Sequence, residues 1–476
     1  MYKVTIGLEV HCELETNSKN FSSAKNTFTE HPNINVSAVD VAFPGTLPVV
    51  NKEAVRKALK TALALNCTPP EKLVFDRKHY FYPDLPKGYQ ITQLAKPVGI
   101  NGYLDIKVNG MMRRIDIHQI HLEEDTASLE HFNKFSLLDY NRAGIPLIEV
   151  VTEPCLHNAD EAIAFLETLR SLFLYCEVSE ADSKKGQMRC DVNISLAPEG
   201  STELGVKVEM KNINAFTKVR NAIEYEIKRQ SKLLSAGKEV LQETRRFSDE
   251  DGKSYAMRSK ADAIDYKYFP EPNMPPIKLE ESYLDEIRAS VPMLQGARFQ
   301  KYVNEYGLSE YDADVLSKER SISDYYEAVV NEGCEPKPAA NWVSTVVLGS
   351  LNKLDLSLDE FYVTATMLAD VVKLVESDKL SRNHAKKILY RSIADKVCPI
   401  EIIKEEGLEQ TSDEGLILEK VKEAIDENPD QTKQYLEGKD WVANYFIGQV
   451  MNKTNKQANP KVALKIIKEE LDRRKK

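Results

Sequence analysis

Gly7-Leu8-Glu9-Val10-His11-Cys12-Glu13-Leu14, "GLEVHCEL", decides how the first part of this chain folds. With the residues before it, it alternates cleanly: Val4, Ile6, Leu8 and Val10 fall on one side, and Thr5, Gly7, Glu9 and His11 on the other. Period-two alternation marks a strand with one face in a core. The opposite face carries Glu-x-His, which a solvated strand tolerates and a metal site can use. What the other strands bring decides between the two.

Working outward, 187–196 ("QMRCDVNISL") leaves Arg189, Asp191, Asn193 and Ser195 on its polar side, and 205–211 leaves Lys207, Glu209 and Lys211 on its own. In 120–125 ("IHLEED"), His121 and Glu123 oppose Ile120 and Leu122, with Glu124 out of phase unless the strand bulges or ends there. Strand patterns also cover 103–108 and 115–123, and helical spacing covers 53–65, 159–175 and 216–234. This is an α+β pattern with a mostly antiparallel sheet. The proline-dense stretch 268–279 reads as an extended connection at a domain edge, and from 284 onward the chain is amphipathic helix. Breaks near 397–415 mark a further boundary. The expected architecture is a cradle over 1–292, a helical domain over 293–405 and a small helical tail over 406–476. The last helix should begin after Asn459 as N-cap, with Pro460 at its first position. Its basic end suits the helix dipole equally well as an RNA phosphate.

If the four polar faces share one sheet, Glu9, His11, Glu123 or Glu124, Asp191 and Glu209 converge, with Arg189, Lys207 and Lys211 nearby. Gathered carboxylates repel one another, and a divalent cation is the usual remedy. Oxygen ligands with one imidazole suit Mg²⁺ or Mn²⁺ better than structural Zn²⁺, and adding Arg and Lys gives the parts of a phosphoryl-transfer site. A solvated face accounts for any one of these strands alone. No Walker motif, Rossmann fingerprint or serine elbow occurs, so ATP, if used, is handled on a sheet surface. Residues 75–93 and 139–154 combine cations, aromatics and prolines, as stacking surfaces do, and as stiffened loops do.

Composition bounds the rest. With 64 Lys+Arg against 74 Asp+Glu the net charge is −10, which argues against non-specific nucleic-acid coating but leaves room for a local basic surface. Seven cysteines form neither a disulfide framework nor a C-x-x-C pair. No apolar run approaches membrane-spanning length and the first residues lack a leader pattern, so a cytoplasmic location and no membrane partner are expected.

The segments "IGLEVHCEL", "FDRKHYFYPDLPKGYQITQ", "IHLEEDTA", "DYNRAGIPLIEVVTEP", "MRCDVNISL", "VEMKNINAF", "QETRRF" and "DYKYFPEPNMPP" occur in the order seen in the GatB/GatE family, the B subunits of the bacterial tRNA-dependent amidotransferases. The similarity continues through "AANWV", "SRNHAKKIL" and "GQVMNKTNKQANP", so the chain resembles that family over essentially its whole length. The resemblance implies a glutamine-synthetase-like cradle that uses ATP and Mg²⁺ to phosphorylate the side chain of misacylated Glu- or Asp-tRNA. It implies two partners besides the tRNA: a glutaminase (amidase) subunit that sends ammonia through a tunnel, and a small third subunit. Carried onto this chain, metal and catalytic roles fall on Glu9, His11, Glu123, Glu124 and Glu209, with Asp191 supporting. Gly7, Arg189, Lys207 and Lys211 are candidates for the nucleotide phosphates. Two departures follow: the zinc-binding cysteines of some members are missing, so no zinc is expected, and Lys456 replaces a common tail glycine. A non-catalytic tRNA-binding scaffold, or a metal-dependent nuclease that needs no ATP, would use similar surfaces.

Overall fold

The computed structural model describes residues 2–259, 265–407, 414–454 and 457–475. The expectation for Lys456 and part of the boundary near 397–415 lie outside the described residues. The chain divides into two compact units, Met1–Leu294 and Gln295–Lys476.

The first unit is built on an eight-stranded sheet. Its strands are β1 (Tyr2–Glu13), β2 (Gly99–Val108), β3 (Met111–Glu124), β4 (Pro146–Thr152), β5 (Met188–Pro198), β6 (Val208–Ile213), β7 (Glu243–Ser248) and β8 (Lys253–Ser259). In space they run β8-β7-β6-β5-β1-β4-β3-β2, antiparallel except for the β6–β7 pair. The fold is α+β, and β1 sits in the middle of the sheet with a neighbour on each side. Ile6, Leu8, Val10 and Cys12 of β1 are fully buried on one face, in a core shared with helices α1 (Lys52–Ala64), α2 (Ala159–Tyr175) and α3 (Phe216–Ser235). The first two helices begin where the sequence supplies a cap: Asn51 Oδ1 accepts from the Glu53 amide at 2.9 Å, and Asn158 Oδ1 from the Glu161 amide at 2.9 Å.

Three differences from the sequence reading matter. The stretch 205–211 enters the sheet only at Val208, because the chain at Gly205 presses onto Leu196: a Cβ there would lie 2.0 Å from the Leu196 carbonyl oxygen. Residues Pro146–Thr152, read as part of an aromatic-basic loop, form the strand β4. Most of β4 is buried on both faces, so it shows a nearly continuous apolar run rather than alternation. Within 75–93, Asp76–His79 and Tyr89–Thr92 pair as strands, and Phe269–Pro270 from the proline-rich connection adds at the edge. There Arg77 is consumed locally, 3.0 Å from Glu271 through Nη2 and 4.1 Å above the Tyr89 ring.

The second unit has no strand among its described residues. It has two apolar cores, one around Tyr302, Tyr326, Trp342 and Leu389, and one around Phe446, Val450 and Ile467. Asn459 caps the final helix, Pro460–Lys475, its Oδ1 accepting from the Lys461 amide at 2.9 Å. Near its basic end, Arg473 and Arg474 pair with Glu470, and Arg474 also with Asp426.

Candidate functional site

The polar face of β1 meets half-buried and buried ionisable groups from its neighbouring strands. In the β1–β5 pairing Glu9 lies opposite Asp191 and Gly7 opposite Asn193, and β6 places Glu209 opposite Asn193. In the β1–β4 pairing His11 lies opposite Glu149, and β3 places His121 opposite the same Glu149. The register therefore lays a row of ionisable groups across five adjacent strands, on the side away from the apolar core.

These groups form two clusters. Ligand atoms of His11, Glu123 and Glu149 all lie within 4.8 Å of one another, as do those of Glu9, Asp191 and Glu209. In the first, His11 Nε2 is 3.3 Å from Glu149 Oε2, and His121 Nε2 is 3.0 Å from the same oxygen and 3.3 Å from Glu123 Oε2. Thr92 Oγ1 donates to Glu123 Oε2 at 3.1 Å and orients it. In the second, Lys211 Nζ sits between Glu209 at 2.9 Å and Asp191 at 3.1 Å. Asn193 Nδ2 donates to Glu9 at 2.8 Å and Thr244 Oγ1 to Glu209 at 2.9 Å.

The electrostatics show what each cluster lacks. Burial works against charging His121, yet Glu149 and Glu123 hold its pKa up to about 10, and His11 is raised against burial by the same carboxylates. Glu149 is the counterpart: burial alone would raise its carboxyl, but His121 and His11 hold it well below the usual range. Glu9 is pushed up, first by burial and then by Glu149 and Asp191. Protons on the imidazoles thus supply the positive charge that buried carboxylates demand. A divalent cation can take over that role with release of protons, since ligand histidines must be neutral. The donor sets fit this: carboxylate oxygens alone in one cluster, carboxylates with imidazole in the other, both suited to Mg²⁺ or Mn²⁺.

The remaining expected residues are distributed as follows. Glu124 is not brought to either cluster: both its oxygens lie 2.5 Å from Lys87 Nζ, and Oε1 accepts from the Ile91 amide at 2.9 Å. Alternation along β3 turns it to the other side from Glu123, and Lys87 meets it there. Arg189 is occupied by Asp125, Nη2 to Oδ2 2.8 Å. Gly7 and the exposed Lys207 line one small cavity of about 200 Å³ with Thr152, Pro154, Asn193 and Ser195, beside the Glu9 cluster. Four groups now belong to the site that the sequence reading did not assign to it: Glu149, His121, Asn193 and Lys78. Lys78 has its pKa raised by Glu123 and Glu149 against its burial, and its Nζ lies 4.8 Å from the Tyr266 ring centroid. His121 shared the polar face of Glu123 in the sequence; Glu149 was hidden in a strand without alternation.

Two family models match this chain: the GatB/GatE catalytic domain over residues 4–285, which carries every residue of both clusters, and the GatB domain over 324–471. The chain belongs to the GatB/GatE family. Among curated proteins it is 44% identical over 474 residues to the B subunit of the aspartyl/glutamyl-tRNA(Asn/Gln) amidotransferase of Geobacillus thermodenitrificans, covering 99% of this chain and 100% of that protein. It is 45% identical over 469 residues to the subunit of the same name from Persephonella marina, with 98% and 99% covered. The Staphylococcus carnosus subunit is 44% identical over 473 residues, with 99% and 100% covered. The GatB/GatE catalytic match takes in nearly all of β1 and the whole of β2 to β8, and so contains the full row of charged groups. No helix among the described residues is long and apolar enough to cross a membrane.

Proposed function

We propose that this chain is the B subunit of a cytoplasmic heterotrimeric amidotransferase that converts Glu-tRNA(Gln), Asp-tRNA(Asn) or both into the amidated forms. The observation that carries the reading is the pair of half-buried carboxylate clusters on β1 and its neighbours, each able to hold a cation, inside the domain shared with proteins named for that reaction. A carboxylate cannot expel oxide, so amidation needs its oxygen converted into a leaving group. An oxygen of the side-chain carboxylate attacks the γ-phosphorus of ATP, the bond to the bridging oxygen breaks and ADP leaves. Ammonia from the amidase partner then attacks the acyl carbon, the C–O bond breaks, phosphate departs and the nitrogen loses a proton.

Glu9, Asp191 and Glu209 would hold one cation, and His11, Glu123 and Glu149, with His121 beside them, another. Held there, Mg²⁺ or Mn²⁺ would supply positive charge for the phosphate oxygens during transfer. The chain's own work is positioning. Thr92, Asn193 and Thr244 fix carboxylate orientations, and Lys211 and Lys78 add cationic charge where phosphate arrives. Lys207, which lines the same cavity as Gly7, would meet phosphate from solvent. The small third subunit joins this chain to the amidase in this reading, and no zinc is required.

The test is the purified complex, given γ-labelled ATP and Glu-tRNA(Gln) or Asp-tRNA(Asn) with and without glutamine. Label transfer to the charged tRNA without glutamine, and amidation with it, support the reading. Wild-type complex that cleaves no ATP in the presence of either charged tRNA overturns it.

A further inference from the structure

The polar face of β1 does not end at the clusters. The next residue beyond His11 on that face is Glu13, and Glu13 opens on a cavity of about 460 Å³ whose walls include Phe28, Asn141, Arg142, Ile145 and Lys185. The cavity at Gly7 and Lys207 lies at the opposite end of the same face. The row Gly7, Glu9, His11, Glu13 therefore runs from one cavity to the other, with both cation clusters between.

Charge around Glu13 is unbalanced. Asp125 next to it takes Arg189 at 2.8 Å and Arg142 at 3.5 Å, and Arg142 also donates to the carbonyls of Thr126 and Ala127 at 2.9 and 3.2 Å. Both guanidinium groups pair with Asp125 and backbone, and they only partly offset the burial and the neighbouring Asp125 carboxylate that raise the Glu13 carboxyl. Glu13 has no ion pair of its own among the described residues. A half-buried carboxylate at a cavity wall, beside another carboxylate, is matched by a ligand that brings a cation. Of the molecules the proposed reaction uses, ATP and phosphate bring only negative charge. The aminoacyl ester brings a free α-ammonium group a few bonds from the carboxylate that must be phosphorylated.

We propose that the cavity at Glu13 receives the aminoacyl end of the charged tRNA, the Glu13 carboxylate taking its free α-ammonium group while the side-chain carboxylate lies toward the His11 cluster. The inference rests on the amidotransferase reading above. Alternate residues of a strand are separated by roughly 6.6 Å, a distance on the scale of an acidic amino acid from its nitrogen to its carboxylate. Nucleotide entering beside Gly7 and acyl group entering beside Glu13 meet with the clusters between them, the arrangement an in-line transfer needs.

The experiment compares Glu-tRNA(Gln) with N-acetyl-Glu-tRNA(Gln), whose α-amine is neutral, using the intact complex of wild type, Glu13→Gln and Glu13→Asp. The readouts are KM and kcat for label transfer from ATP. Wild type should show a KM at least about tenfold higher for the acetylated substrate, as losing a charge-assisted hydrogen bond predicts. Glu13→Gln should bind both substrates equally weakly, and Glu13→Asp should recover part of the discrimination. Equal use of both substrates by wild type, which needs no variant to fold, overturns the inference while leaving the amidotransferase reading intact. So does undiminished discrimination by Glu13→Gln. Wild type that phosphorylates neither charged tRNA overturns both.

Discussion

Glu149 stands directly across the β1–β4 pairing from His11, its Oε2 3.3 Å from His11 Nε2, and the same oxygen is 3.0 Å from His121 Nε2 on the other side. One carboxylate on a middle strand therefore bridges imidazoles from both neighbouring strands. Sheet register alone produces this, because a one-residue slip of β4 would turn Glu149 into the apolar core and put Ile148 or Val150 between the histidines.

Replacing Glu149 tests that bridge. Glu149→Gln keeps the size of the side chain but removes the charge that holds His11 and His121. Mn²⁺ titrated calorimetrically into the wild-type complex should show binding at this cluster that Glu149→Gln weakens by more than about 100-fold, the upper end of what loss of a mere outer partner causes. Unchanged Mn²⁺ stoichiometry and affinity in the variant would remove Glu149 from the cation site.

Gly7 gives a test at the end of the face where nucleotide is proposed to enter. An added Cβ there meets Pro154 and Thr152 only at ordinary contact distance, 3.8 Å and beyond, and Gly7 is not in the left-handed region. Gly7→Ala should therefore fold and bind ATP nearly as wild type does. Gly7→Val projects branched carbons into the 200 Å³ cavity beside Lys207 and should lower ATP affinity by about tenfold or more, with little change in melting temperature. Equal ATP affinity in wild type and Gly7→Val, by equilibrium binding, would exclude this cavity from nucleotide binding.

The legible part of the site was the part written in alternation. Glu9, His11, Asp191 and Glu209 could be placed on one face because their strands are apolar on the other, as the full burial of Ile6, Leu8, Val192 and Met210 shows. Glu149 was not legible, since Pro146, Leu147, Ile148 and Val150 are all buried and erase the period-two signal around it. Glu124 lies outside both clusters for another reason. Alternation put Glu124 out of phase with Glu123 unless the strand bulged or ended; the strand runs on through Glu124, and Lys87 meets one carboxylate while Thr92 and His121 meet the other. In the fold, β7 and β8 were unread because Arg245 and Ser254 point charged and polar groups inward, where a partner on α3 compensates them.

Lys87 and Glu124 show how a variant can mislead. Both are largely buried, 10% and 3% exposed, and each is the other's ion pair. Glu124→Ala leaves the Lys87 ammonium buried without its partner, which costs about 3–5 kcal/mol. The expected outcome is a lowered melting temperature of the first unit together with lost activity, with part of the stability recovered in the double variant Glu124→Ala/Lys87→Met. Glu124→Ala that is inactive yet melts as wild type does would instead give Glu124 a direct part in the chemistry.

The last prediction concerns stability away from the site. Glu226 on α3 is wholly buried and accepts from Arg229 Nη2 at 2.9 Å and Ser254 Oγ at 2.5 Å, with Arg245 Nε 3.3 Å away, so it ties the helix to β7 and β8. Burial alone would raise its carboxyl, but the hydrogen bonds from Arg229 and Ser254 hold it below its ordinary value of 4.5. A carboxyl depressed on folding stabilises the protein above its unfolded pKa, and the contribution is lost as pH falls through the lower folded value. Glu226→Gln should therefore destabilise by about 3–5 kcal/mol near neutral pH, because two guanidinium groups lose their counter-charge. The gap between wild type and variant in thermal melts should be constant from about pH 8 to 6 and narrow below about 4.5. A gap that widens on acidification would mean that Glu226 is protonated in the folded state and contributes packing rather than charge.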